Sequence, residues 1–288
     1  MSPHRLIAAA LAAALCSVPA AAPAAESIDD ILACMAGNLP SADDLHSLRV
    51  ATTSRAGQER VTHIDLYGRR GEAGSRSLLL RFSQPPELEG ASFLIVEEDG
   101  ARAFYVHTPA LDSRRRLEGT DLGGRLFGTD FTYEDIMRYR GMLGAGDLQR
   151  LDDVEVGGRG AYALEGRPAP GTSAYSRVVT AVDRERCVLL RIEMYEQEGQ
   201  PRKVLTTDPE TTLFVNAHWI PQNARLEDLR DGSRTDVALR SVVTALEIPD
   251  QMFDPASLGQ VRPRLAFEAS APMARVELEL VAPELPAP

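Results

Sequence analysis

The sequence predicts a mainly β fold: an incomplete antiparallel β-barrel, in effect a curled sheet, with a few helices covering its concave face. Three observations lead there. Strand-like segments alternating apolar and polar residues follow one another from residue 48 almost to residue 246. Tight-turn signals such as Asp99-Gly100 and Gly157-Gly158 separate them, as an antiparallel meander requires. Only two short stretches, around Ile31 and from Thr132, carry helical patterning. A sheet this large must curl, and its concave apolar face must then be filled or covered.

The first residues read as an export signal. Arg5 precedes an apolar run over residues 6–14, and small residues at 20–25 suit cleavage after Ala25. Cys16 follows Leu15, where a lipid-attachment signal wants a small residue. Residues 1–25 are therefore expected to be a signal peptide, 26–261 a single β domain, and 262–288 a mobile C-terminal tail. Within that tail the alternating run ARVELELV is the competing edge strand. The mature chain is expected outside the cytoplasm, with a Gram-negative periplasm the natural location.

In SIDDILACMAGNLP, Ser27 or Asp29 caps a helix whose Ile28, Ile31, Leu32 and Met35 share a face, and Gly37 and Pro40 end it. Leu78, Leu80 and Phe82 share one face of the strand RSLLLRF. GASFLIVEEDG, with Phe93 and Ile95, turns back at Asp99-Gly100 into ARAFYVHT, which carries Phe104. LDDVEVGGRGAYALEGRP gives two strands across Gly157-Gly158. In CVLLRIEMYEQEGQ, alternation sends Val188, Leu190, Ile192 and Met194 one way, and Leu189, Arg191 and Glu193 the other. Further strands are expected near residues 203–206, 219–229 and 235–246.

The formal net charge of −11 argues against nucleic acid or an anionic membrane surface as main partner. His46, His63, His107 and His218 lack any spacing that would join two on one element, so no metal site is expected. There is no GxSxG elbow, no HExxH and no phosphate loop. Cys34 and Cys187 allow one disulfide or two buried free thiols, and the residues leave both open.

The cluster Arg114, Arg115 and Arg116 suits a lipid headgroup or an acidic partner surface; its bland reading is a solvated strand paired with nearby acids. In GTDFTYEDIMR, Asp130 or Thr132 caps a helix, Glu134 and Asp135 favour its positive end, and Phe131 staples to Ile136. Tyr133 is left without a required structural role.

RSLLLRFSQPPELEGASFLIVE resembles the strand, proline turn and following strand of the LolA-like outer-membrane lipoprotein-sorting protein family, in a longer form. TPALDSRRRLEGTDLGGRLFGTDFTYEDI, VLLRIEMYEQEGQPRKVL, HWIPQNARLEDLRDGSRTDVALRSV and IPDQMFDPASL are similar to further passages of that family, in order, over residues 77–258. The resemblance implies no enzyme activity and no cofactor. It implies a periplasmic, monomeric carrier that holds a lipid or lipoprotein acyl chain and shuttles it toward the outer membrane, together with an inner-membrane lipid exporter. The expected cavity residues are Leu78, Leu80, Phe82, Phe93, Ile95, Phe104, Leu190, Ile192 and Trp219, with Arg114, Arg115, Arg116 and Tyr133 meeting headgroup or partner. The alternative is an envelope accessory or scaffold with a packed barrel that binds a transporter complex through the same arginines.

Overall fold

The computed structural model describes residues 26–40, 43–71, 75–98, 101–140, 146–196, 199–244, 246–260, 266–267 and 275–277. The expected signal peptide and most of the tail lie outside these residues, as does the Asp99-Gly100 turn. Helix α1 (Ile28–Gly37) leads into β1 (Asp44–Thr53), β2 (Glu59–Arg70), β3 (Arg76–Gln84), β4 (Ser92–Glu98), β5 (Ala101–Thr108) and β6 (Ser113–Leu117). Helix α2 (Tyr133–Tyr139) follows, then β7 (Gly146–Val156), β8 (Arg159–Pro168), β9 (Arg177–Asp183), β10 (Leu189–Tyr195) and β11 (Lys203–Thr207). The remaining elements are β12 (Thr212–Val215), β13 (His218–Pro221), β14 (Asn223–Asp228), β15 (Ser233–Thr244), β16 (Leu246–Glu247), β17 (Ala266–Phe267) and β18 (Arg275–Glu277).

One antiparallel sheet dominates, in the order β6-β5-β4-β3-β2-β1-β15-β14-β11-β10-β9-β8-β7, with β18 beside β15. It curls but does not close, because β6 and β7 end the order without pairing to each other. The β1–β15 ladder joins the two halves of the chain. Curling is visible in the core: Leu117 of β6 and Leu164 of β8, near opposite ends of the order, share one apolar cluster. That cluster fills the concave face, and α1 with Ile31 and Met35 and α2 with Tyr133 and Ile136 lie over it. The 246–258 segment covers the opposite face of the first half, packing Leu246, Ile248, Met252, Phe253 and Leu258 on Tyr67, Leu79 and Leu94.

The local signals act as expected. Both helices carry capping boxes, Ser27 with Asp30 and Thr132 with Asp135. The β7–β8 turn holds Gly157 at φ 58° and Gly158 at φ 75°, which the paired glycines permit without a Cβ clash. Two expectations change. The stretch 219–229 is two strands, β13 and β14, and β13 forms a separate hairpin with β12. In the β9–β10 ladder the register slips between Leu189 and Arg191. Leu189, Ile192 and Met194 therefore reach the concave cluster, whereas Val188 and Leu190 pack elsewhere. In the tail, β17 pairs β16 and β18 pairs β15 over three residues.

Candidate functional site

Helix α2 covers part of the concave face, and a buried polar network seats it. Asp135 accepts from the Thr132 amide at 2.8 Å, from the Tyr175 hydroxyl at 2.7 Å and from Lys203 Nζ at 2.7 Å. Lys203 also donates to the Asp130 carbonyl at 2.6 Å. Asp130 accepts from Ser233 at 2.7 Å and from Thr235 at 2.9 Å. Burial and the neighbouring Asp135 carboxylate push the Tyr175 hydroxyl well above its usual acidity range, so it remains a donor. The polar side chains of the GTDFTYEDI passage thus dock α2 onto β11 and β15.

Two cavities flank this cover. The first, about 320 Å³, lies at the open seam between β5 on one side and β7, β8 and β9 on the other. Its apolar wall is Phe104, Leu122, Met137, Leu148, Leu164 and Val178, and Arg102, Glu134, Arg138, Arg167, Ser173 and Thr180 supply polar groups. Its volume falls in the roughly 300–1,000 Å³ range of small-molecule sites.

The second cavity, about 100 Å³, opens between α1, the end of α2 and the β12–β13 hairpin. Met35, Leu48, Leu66, Tyr139, Val188, Leu189, Trp219 and Ile220 make it mostly apolar. Its frame is tied twice. Cys34 and Cys187 form a disulfide, with Cα atoms 5.6 Å apart, that pins α1 to the turn before β10. Asn38 accepts from the Trp219 amide at 2.7 Å and donates to the Trp219 carbonyl at 2.9 Å, fixing the hairpin to the end of α1. Arg186 lies over the Trp219 ring, 4.8 Å from its centre. Its polar lining includes Asn38, Arg140, Gln222 and the buried His46, whose Nε2 lies 2.8 Å from Asp44. Burial pushes the Asp44 carboxyl up, but His46, Arg140 and His218 outweigh it and hold the group below the usual carboxylate range.

The residues picked from sequence scatter over this geometry. Phe104 lines the larger cavity and Trp219 the smaller. Leu78, Leu80, Phe82, Phe93, Ile95 and Ile192 sit within the packed concave core, each at most 2% exposed. Leu190 belongs to a separate cluster with Ala161, Ala181 and Val188. Arg114, Arg115 and Arg116 are exposed on the edge strand β6; Arg114 donates to the Ala256 carbonyl, Arg115 meets Asp121 at 2.8 Å and Arg116 meets Glu118 at 3.0 Å. Exposed pairs of this kind contribute about 0–1 kcal/mol. Tyr133 has a packing role: it is buried, with its ring centre 4.8 Å from that of Phe93. Sequence reasoning passed over Leu122, Met137, Leu148, Leu164 and Val178, and also Lys203. The last carried a signal, since it is the only lysine in the chain.

Among the described residues no group of histidine, cysteine and carboxylate side chains is placed to hold a metal, and no helix is long and apolar enough to cross a membrane.

No curated protein matches the sequence. Among solved structures, the chain is similar to a DUF1329 family protein from Desulfovibrio piger, with 22% identity and a TM-score of 0.71 over 80% of this chain and 96% of that one. A domain called outer membrane lipoprotein-sorting protein, from Vibrio parahaemolyticus, matches with 20% identity and a TM-score of 0.67, over 80% and 97% of the two chains. A LolA superfamily protein from Nitrosomonas europaea gives 18% identity and a TM-score of 0.63, over 80% and 98%. At these identities the likeness establishes the fold. Residues 74–260 match the model of a family described only as uncharacterized-protein-like. The chain therefore belongs to this DUF1329 family of uncharacterized proteins and is built on the LolA-like fold.

Proposed function

We propose that the protein is a periplasmic carrier that holds a lipid or lipoprotein acyl chain and shuttles it toward the outer membrane, receiving it from an inner-membrane lipid exporter. It binds rather than catalyses and needs no cofactor. The observation that carries this reading is the cavity of about 320 Å³, walled by Phe104, Leu122, Met137, Leu148, Leu164 and Val178 where the curled sheet stays open. An acyl chain entering it exchanges water for apolar surface, a gain of about 0.8 kcal/mol per buried methylene. The Vibrio domain's lipoprotein-sorting name fits the same use of the fold.

The test is native mass spectrometry of protein released gently from periplasm. Co-purifying lipid is expected in the wild type and is expected to be lost from Leu164→Trp, which fills the cavity. Wild-type protein that is consistently empty, and stays empty when offered envelope lipid, overturns the reading. A second reading, an envelope scaffold, is favoured by the exposed Arg114, Arg115 and Arg116 on the edge strand β6. Under it, charge reversal at these positions abolishes pull-down of a transporter complex while lipid content stays unchanged.

A further inference from the structure

The seam cavity differs from the rest of the molecule in charge. The chain carries a formal net charge of −11, yet three arginines and one carboxylate line this cavity. Arg102 stands two residues before Phe104 on β5, so alternation turns both toward the concave face. The Arg102 Nε is buried without a hydrogen-bond partner among the described residues and is held only by an ion pair with Glu97 at 3.6 Å, beyond hydrogen-bond distance. Arg138 is 8% exposed, and Glu134 Oε1 takes its Nε at 3.2 Å and one terminal nitrogen at 2.5 Å. The same terminal nitrogen also reaches the Ser173 hydroxyl at 3.5 Å. Arg167 pairs with Glu165 at 2.9 Å. A buried guanidinium donor without an acceptor is costly, and an oxyanion is the acceptor its fork geometry fits.

We infer that the seam cavity selects amphiphiles with an anionic head, a phosphate or carboxylate held by Arg102 and Arg138 with the apolar tail against Phe104, Leu148 and Leu164. This rests on the carrier reading and narrows its cargo from any lipid to an acidic one. The arginines cap an apolar space, so head and tail each add to the affinity.

The test is calorimetric titration of the full protein with dodecanoate, dodecyl phosphate, dodecanol and inorganic phosphate. Both anionic chains are expected to bind at least about tenfold tighter than dodecanol, the worth of one charge-assisted hydrogen bond. Arg102→Gln is expected to shrink that gap about tenfold, while Arg102→Lys keeps part of it. Thermal melts check that each variant is folded. Equal binding of dodecanol and the anionic chains, all abolished by Leu164→Trp, overturns the headgroup inference and leaves the carrier reading standing. Absence of binding by every chain, or binding indifferent to Leu164→Trp, overturns both. Inorganic phosphate binding as tightly as dodecyl phosphate overturns the amphiphile and points to a free anion.

Discussion

Lys203 Nζ lies 2.7 Å from Asp135 Oδ2, with the two side chains 4% and 1% exposed. The only lysine of the chain is thus spent on holding the cover helix α2 against β11. A buried pair of this kind adds little over an apolar isostere, but removing one partner strands the other charge.

Lys203→Met is therefore expected to destabilise the protein by roughly 3–5 kcal/mol, because Asp135 keeps its place without its counter-ion. Urea denaturation measures this. Lys203→Met with Asp135→Leu is expected to recover part of the loss, and a double mutant no better than the single change counts against the pairing.

The disulfide makes a second prediction. Cys34 and Cys187 are separated by 153 residues, so the crosslink restricts a large part of the unfolded chain. Replacing both by alanine is expected to cost about 2–5 kcal/mol and to raise amide exchange first in α1. An exchange pattern spread evenly over the molecule instead of centred on α1 contradicts this placement.

Asp183 makes a third, in acid. Burial pushes its carboxyl up, but hydrogen bonds from Arg159 and from the amides of Arg186 and Glu185 win and hold it below the usual range. A carboxylate with a depressed folded-state pKa contributes stability above its unfolded value, about 3.9, and loses it as pH falls through the folded value. Asp183→Asn should cost roughly 1–3 kcal/mol at neutral pH and flatten the loss of stability below about pH 4. Parallel acid-unfolding curves for the two proteins refute the assignment.

The fourth concerns Trp219, the only tryptophan of the chain and part of the smaller cavity. Asn38 makes two hydrogen bonds to its backbone. Asn38→Ala is expected to free the β12–β13 hairpin, red-shift the emission and cost about 1–3 kcal/mol. An unchanged spectrum with unchanged stability rules out the Asn38 anchor.

Legibility in the sequence followed locality. The capping boxes of Ser27 and Thr132 and the Gly157-Gly158 turn were readable because each depends on residues within a few positions. The role of Lys203 was not, since its partner Asp135 is 68 residues away. Leu190 was misassigned to the concave face because the register slip at Leu189 and Arg191 answers to the neighbouring strand, not to its own pattern. Tyr133, left without a role by local reasoning, acquires one from Phe93 on β4.

By itself the sequence determined the mainly antiparallel β class, the two helix starts and the alternation that fills a concave face, because period and capping are short-range physics. Only the tertiary structure decided where that face stays unfilled. A cavity is what remains after side chains from β5, α2, β7, β8 and β9 have packed, and that remainder depends on how far the curled sheet stops short of closing.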